Sequence, residues 1–547
     1  MERSPCAQGR EVMNQLAVVL VFLPVIVSIV IYLSKWRHMN IVAIASQLAL
    51  TIVAVVYFTH FYGDFESTHI VLGGWDSRIG ISLANDELSM SFIFLSLFSW
   101  WMVLIYTFRF GHTEHSFLFF LIFLQGVFLG LLQSNDLFNL FVFLELATII
   151  VTILIAYNKK GESFRSALYY LIVNVPAMLV FLTGIILVYF TFGSINIVAL
   201  TEQFQDVDDT IILRFSYVLM MAGISVKAAL FPVFTWLPKA HGVAQSAISA
   251  LLSGLIVKAG VYLFFRMNFL YEGAGFAYSD FFFMVGVLTA ISGVMFALSQ
   301  KELKQILAFH TISQVGIIMM GVSSADSDMF YGGILHTFNH ALFKSLLFLG
   351  AGVIIQVYRT KKVGEIRGVF KTMPVVSIFM IVGMLSITGA PFFNGFISKS
   401  IIKYGLAEQG WRYWALYVIN IGTATSFIKM SQIFFGPKTL SYPLKNMAQN
   451  IAMMVLAFGC VLLGNFYIPF SEGFFGIRVE EFDLTSFDVL LDYGITVAIG
   501  LVFYFTVIAR DLKPVRMIRE SRISFENANL VFLIYIVALT TYFVFLS

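Results

Sequence analysis

The chain has 547 residues, of which 59% are hydrophobic and 12% charged, with a mean hydropathy of +0.88 and a formal net charge of +3. That balance excludes a water-soluble globule and calls for an all-α polytopic membrane protein. Two cysteines, Cys6 and Cys460, are too few and too far apart for a disulfide framework, a thiolate metal site or a cysteine-bound iron–sulfur cluster. The basic residues are scattered among short loops, which argues against nucleic acid as a partner.

A spanning helix needs about 20 apolar residues. In chain order, apolar runs predict helices near 14–34, 40–59, 90–108, 117–132, 137–157, 166–192, 211–236 and 247–265. Further runs follow near 281–299, 305–323, 331–357, 374–404, 413–436, 448–469, 487–509 and 529–547, giving about 14–16 transmembrane helices. The first run is long and lacks a convincing small-residue cleavage site, so it is expected to stay as an anchor. The longest stretches between spans, 60–89 and 470–486, have room for no more than a hairpin or a short helix.

Lysine and arginine set the expected orientation. With the N-terminus outside and the side alternating at each span, the inside loops carry Lys35, Arg37, Arg109, Lys159, Lys160, Arg165, Lys239, Lys301, Lys304, the run 359–371, Lys438, Lys445 and 510–522. The outside loops carry instead Asp64, Glu66, Asp76, Asp206, Asp208, Asp209, Asp326, Asp328 and Glu480. A miscounted span would reverse this asymmetry partway along.

Within the spans, ionisable residues are the informative feature. Glu145 interrupts 137–157, Lys227 interrupts 211–236, and Lys258, Lys344 and Lys399 break three more apolar runs. A charge at membrane depth costs roughly 3 kcal/mol or more, so several retained in one chain need partners, a water-filled interior and a task. Alternating acids, lysines and histidines point to proton movement. If Glu145 and Lys227 approach to about 4 Å at an effective dielectric near 20, their attraction is roughly 4 kcal/mol, enough for opening and closing of the pair to gate protonation of the lysine.

His336, His340 and Lys344 recur every four residues, so they share one helix face and span about 12 Å. Histidine suits a relay because it accepts and donates at opposite nitrogens near neutral pH. Plainer roles compete: His310 could bond a neighbouring backbone carbonyl, Lys403 and Lys429 could snorkel from helix ends, and Asn135 and Asp136 read as a loop end. The 59 phenylalanines read as lipid-facing and packing residues.

Two spans look broken at membrane depth, near 227–236 and 389–396, where Pro232 follows Lys227 and Pro391 precedes Lys399. Proline removes a backbone donor, and the freed groups are tolerated only where protein or trapped water satisfies them. Paired breaks in helices of opposite sense are the sequence sign of inverted repeats around a transport route.

These residues resemble a known family, the proton-conducting antiporter-like subunits of respiratory complex I, membrane-bound hydrogenases and Mrp-type sodium/proton antiporters. The resemblance covers roughly residues 70–435 and is carried by the stretches around Glu145, from Lys227 to His241, from Ser249 through Lys258, from Gln300 to Gly316, from His336 to Lys344, and from Gly389 to Lys399. It implies two inverted five-helix repeats, at 111–270 and 271–437, with N-terminal helices and an outside hairpin at 1–110 and additional helices at 438–547. It also implies that Glu145 pairs with Lys227, and that Lys258, His340 and Lys344 continue a buried polar axis to Lys399. Lys239 stands where complex I relatives usually carry aspartate, Ala244-Gln245-Ser246 replaces a proline-containing stretch, and His310 and the Gly73-Gly74-Trp75 turn are more similar to the D-type component of Mrp antiporters.

The function implied is a proton-translocating subunit of a multisubunit Na+/H+ antiporter, multi-pass in the cell inner membrane and working with sister membrane subunits. The alternatives are a proton-pumping subunit of a complex I-like or hydrogenase complex, and a relative that drives another process such as bicarbonate capture. No dinucleotide fingerprint, haem attachment motif or cluster ligands occur, and no compact oxygen cluster marks a metal, so no cofactor and no redox chemistry of its own are expected.

Overall fold

The computed structural model describes residues 5–34, 36–64, 68–74, 76, 80–108, 114–206, 210–275, 278–438, 446–521 and 525–546. Lys35, Glu66, Trp75, Arg109, Asp208, Asp209, Lys445 and Arg522, which entered the orientation and turn readings, lie outside the described residues. The chain is almost entirely helical, and among the described residues thirteen helices are long and apolar enough to cross a membrane.

All sixteen predicted spans contain a helix, and the three that fall short do so for identifiable reasons. The helix Ile211–Lys227 stops at the first break and Pro374–Thr388 at the second. Trp411–Ser431 is long enough but carries Arg412, Lys429 and several hydroxyl and amide side chains. The stretch 60–89 holds the expected hairpin, with strands Thr68–Val71 and Ser82–Asn85 antiparallel and Thr68 opposite Asn85. The stretch 470–486 holds the end of a short helix, Tyr467–Phe475.

The helices divide into two compact units. The first comprises Met1–Ile224, Tyr262–Phe276 and Tyr535–Ser547; the second comprises Ser225–Val261 and Ala277–Ile534. In the first unit, buried amides join the early helices: Gln125 Nε2 donates to Gln47 Oε1 at 2.8 Å, and Gln47 Nε2 to the Leu97 carbonyl at 2.9 Å. Asp86 caps the helix Glu87–Thr107 by accepting from the Ser89 amide, and also accepts from both terminal nitrogens of Arg266. Burial opposes the Asp86 charge, but the guanidinium and the Ser89 bonds win and hold its carboxyl down to about 2. Asp136, read as a loop end, caps Leu137–Ala156 through the Asn139 amide.

In the second unit, Ser279–Ser299 and Leu303–Val322 pack backbone against backbone. A Cβ on Gly293 would strike Ser313, and one on Gly316 would strike Ala290. Small residues permit such close approach where lipid tails give no hydrophobic drive between helices. Lys429 does not snorkel: its ammonium donates to the carbonyls of Ala297, Leu298 and Gln300 at 2.9, 2.8 and 2.7 Å, capping the end of Ser279–Ser299. Leu303–Val322 is buried nearly throughout, whereas Phe487–Ile508 is largely exposed, as suits a lipid-facing helix.

Candidate functional site

Both predicted breaks are present, and each frees backbone groups beside a lysine. The helix Ile211–Lys227 ends at Lys227, which is 7% exposed; Ala229 then takes a positive φ of 55°, and the chain passes Pro232 before resuming at Trp236. The Val226 carbonyl, which takes the Ala229 amide at 3.1 Å, also accepts from Trp236 Nε1 at 2.8 Å, and the Phe231 amide donates to Thr289 Oγ1 at 2.8 Å. Gly260 packs so closely on Ala228 that a Cβ would not fit.

The second break follows the same logic. Gly389 closes Pro374–Thr388 with φ 79°, Phe392 beside Pro391 has φ 71°, and Asn394–Gly405 begins the second half. The Ile387 carbonyl, left without a helical partner, accepts from Lys399 Nζ at 2.7 Å. Asn339 Nδ2 donates to the Asn394 carbonyl at 2.8 Å and Gly395 lies against the Ser386 carbonyl, so the break is fixed from two sides.

Between the breaks runs the helix Ser327–Tyr358, capped by Asp326 through the Met329 amide. His336, His340 and Lys344 are fully buried along it. Lys258 donates to the Ser253 carbonyl and to His340 Nδ1, the latter at 2.5 Å. With the lysine charged it is the donor, which makes Nδ1 the acceptor and leaves the proton on Nε2; that nitrogen meets no protein partner among the described residues. The His336 and His340 rings stack at 6.4 Å. His336 continues the row, with Nε2 at 3.1 Å from Gln314 Oε1 and Nδ1 at 2.8 Å from Ser398 Oγ. Ser398 also accepts from Asn339, which ties this end to the second break.

Lys344 donates to the Leu307 carbonyl at 2.6 Å, with its ammonium 5.8 Å from the centre of the Phe348 ring. His310 is buried against Phe427, with Lys344, Lys399 and Lys429 within electrostatic reach. Neither His310 nitrogen meets a partner among the described residues, so the expected bond to a carbonyl is not made. Glu145 sits half-buried on Leu137–Ala156 in the first unit, close enough to Tyr170 to act on it electrostatically.

Lys258, Lys344 and Lys399 thus rest on neutral acceptors, and none meets a carboxylate among the described residues. A buried ammonium without a counter-ion costs several kcal/mol. Sequence reasoning missed Gln314, Asn339, Asn394, Ser253 and Ser398. Neutral polar residues do not interrupt an apolar run as lysine does, and no spacing marks them.

A profile of the family described as NADH:quinone oxidoreductase/Mrp antiporter, TM, matches residues 134–428. The chain is similar to the D-type component of the Na(+)/H(+) antiporter of Alkalihalophilus pseudofirmus, with 29% identity over 433 residues that cover 77% of this chain and 86% of that one. Among solved structures, a chain of the membrane-bound sulfane sulfur reductase, an archaeal respiratory membrane complex, matches at TM-score 0.78 and 25% identity, covering 91% of this chain and 100% of that one. A chain of the Mrp complex from Dietzia sp. DQ12-45-1b matches at TM-score 0.75 and 19% identity, a likeness of fold that covers 93% of this chain and 99% of that one.

Proposed function

Because the chain belongs to the NADH:quinone oxidoreductase/Mrp antiporter transmembrane family, we propose that it is the proton-translocating subunit of a multisubunit monovalent-cation (Na+)/H+ antiporter. It lies multi-pass in the cell membrane with its N-terminus outside, as the loop charges favour. It works only beside other membrane subunits. Protons pass along Glu145, Lys227, Lys258, His340, Lys344 and Lys399, with His336 and His310 as further stations. The breaks at Pro232 and Pro391 belong to inverted repeats at 111–270 and 271–437.

The observation that carries this reading is the contact of Lys258 with His340, which joins two motif helices inside a buried polar row. The imidazole accepts at Nδ1 and presents a proton at Nε2, so protonation on one side and release on the other moves one proton without moving the ring. Pairing of Glu145 with Lys227 sets when the lysine end of the row is charged.

The test is sodium-driven proton movement in inside-out vesicles from cells carrying the whole complex. Neutralising Lys258 or Lys399 is expected to abolish it while the complex still assembles; wild-type rates in both variants would overturn the reading. The likeness to a chain of an archaeal respiratory membrane complex favours a second reading, a proton-pumping subunit driven by electron transfer. Deletion then abolishes respiration-linked pumping, whereas the first reading expects sensitivity to sodium and alkali.

A further inference from the structure

The helix Phe487–Phe503 lies beyond residues 134–428, which the family profile matches, and reads in sequence as one of the additional C-terminal helices. It nevertheless reaches the second break. Asp492 Oδ2 is 2.7 Å from Lys403 Nζ, and Lys403 stands one turn, about 6 Å, beyond Lys399 on Asn394–Gly405. The next residue, Tyr493, places its hydroxyl 3.0 Å from Thr388 Oγ1. Thr388 follows Ile387, whose carbonyl holds Lys399. Two neighbouring side chains of one helix therefore touch both halves of the broken helix around Lys399.

Exposure rises along this line. Lys399 is 4% exposed, while the side chains of Lys403 and Asp492 are 27% and 46% exposed. The rings of Tyr413 and Tyr417, from Trp411–Ser431, lie 5.5 and 5.6 Å from the Lys403 ammonium. Asp488, a turn earlier on the helix of Asp492, is exposed. Asp492 is thus the carboxylate in contact with this row among the described residues, on a helix whose neighbouring positions, Leu490, Leu491 and Ile495, face outward.

We propose that Asp492, held by Lys403, is the carboxylate through which the Lys399 end of the proton path exchanges protons with the outside. This rests on the function proposed above. The step moves one proton and needs no other reagent. The Lys399 ammonium gives up a proton and the Asp492 carboxylate, one helical turn away beside Lys403, takes it, leaving a neutral amine and a carboxylic acid, and the acid then releases the proton to water. Uptake is the reverse. The competing view is that Lys403 and Asp492 merely staple one helix to another.

The two views part on the rate of exchange and its dependence on external pH, measured in cells or spheroplasts holding the assembled complex. A positioned proton-transfer group is worth roughly a hundredfold, so Asp492→Asn is expected to slow sodium/proton exchange at least about tenfold and to flatten its response to external pH. Asp492→Glu keeps both close to wild type. A wild-type rate and pH response in Asp492→Asn overturns the proposal, as does an Asp492→Glu variant as slow as the amide. Should Asp492→Asn fail to assemble, the double variant Lys403→Gln/Asp492→Asn removes both charges together and must show the same slowing. Lys399→Ala in the same assay separates the two levels: if it transports normally the proton path itself is wrong, and if it is dead while Asp492→Asn is normal, only the role of Asp492 fails.

Discussion

Lys258 and His340 meet at 2.5 Å although 82 residues separate them, and each is fully buried. The lysine spends a second bond on the Ser253 carbonyl beside a π-helical turn, Leu252–Ile256, which displaces the helix locally from regular geometry. Among the described residues neither partner reaches a carboxylate.

Removing either member is expected to stop transport without unfolding the bundle. Lys258→Met and His340→Phe replace polar groups by apolar ones of similar bulk, and each should lower the exchange rate by roughly a hundredfold or more. The check is the initial rate of sodium-driven pH change in vesicles, normalised to assembled complex. Unchanged rates in both would leave the row without a function.

Glu145→Gln tests the other end. Loss of the carboxylate removes an attraction of roughly 4 kcal/mol at about 4 Å if Lys227 is its partner. Transport should fall to background while Glu145→Asp retains part of it. Ion-driven transport left intact by the amide contradicts the gating role.

The close approaches at the breaks predict steric intolerance. A Cβ at Gly260 meets the Ala228 backbone and one at Gly395 meets the Ser386 carbonyl, where no flexible side chain can yield. Gly260→Ala and Gly395→Ala should each destabilise by about 1–3 kcal/mol. Thermal unfolding of the solubilised chain reads this directly, and unchanged midpoints would show that the breaks can shift.

The Asp86–Arg266 pair predicts a pH dependence. The Asp86 carboxyl is lowered from 3.8 to about 2, so its stabilisation is complete above pH 4 and disappears as pH falls through about 2. The Asp86 side chain is 40% exposed, and screening reduces the effect to about 1 kcal/mol. Asp86→Asn should therefore lower the unfolding midpoint at pH 7 and make no difference near pH 2. Equal midpoints at both would mean that solvent cancels the pair.

How much is legible in the sequence follows from what interrupts an apolar run. Glu145, Lys227, Lys258, Lys344 and Lys399 stand out because each breaks such a run, and Pro232 and Pro391 because a helix cannot continue through them undisturbed. Asp492 does not stand out although it is charged, because it lies early in a span that reads as ordinary, where an acid is cheap. Its meaning comes from Lys403 and from the hydroxyl contact its neighbour makes with Thr388. Lys429 reads in sequence as a snorkelling side chain, and only the three carbonyls around it reveal a helix cap.

Residue order alone therefore determined that this chain lives in a bilayer, where its helices run, where two of them break, and which charged side chains interrupt its apolar runs. Hydropathy and backbone chemistry act locally, within about 20 residues, and one chain displays them openly. What faces what was decided by packing. That Lys258 finds an imidazole, that Lys344 and Lys399 rest on carbonyls, and that an added helix brings Asp492 to Lys403 depend on helix rotation and close approach between segments distant in sequence. The periodicity of a single apolar helix carries no record of its neighbours, because lipid and protein interior are equally apolar.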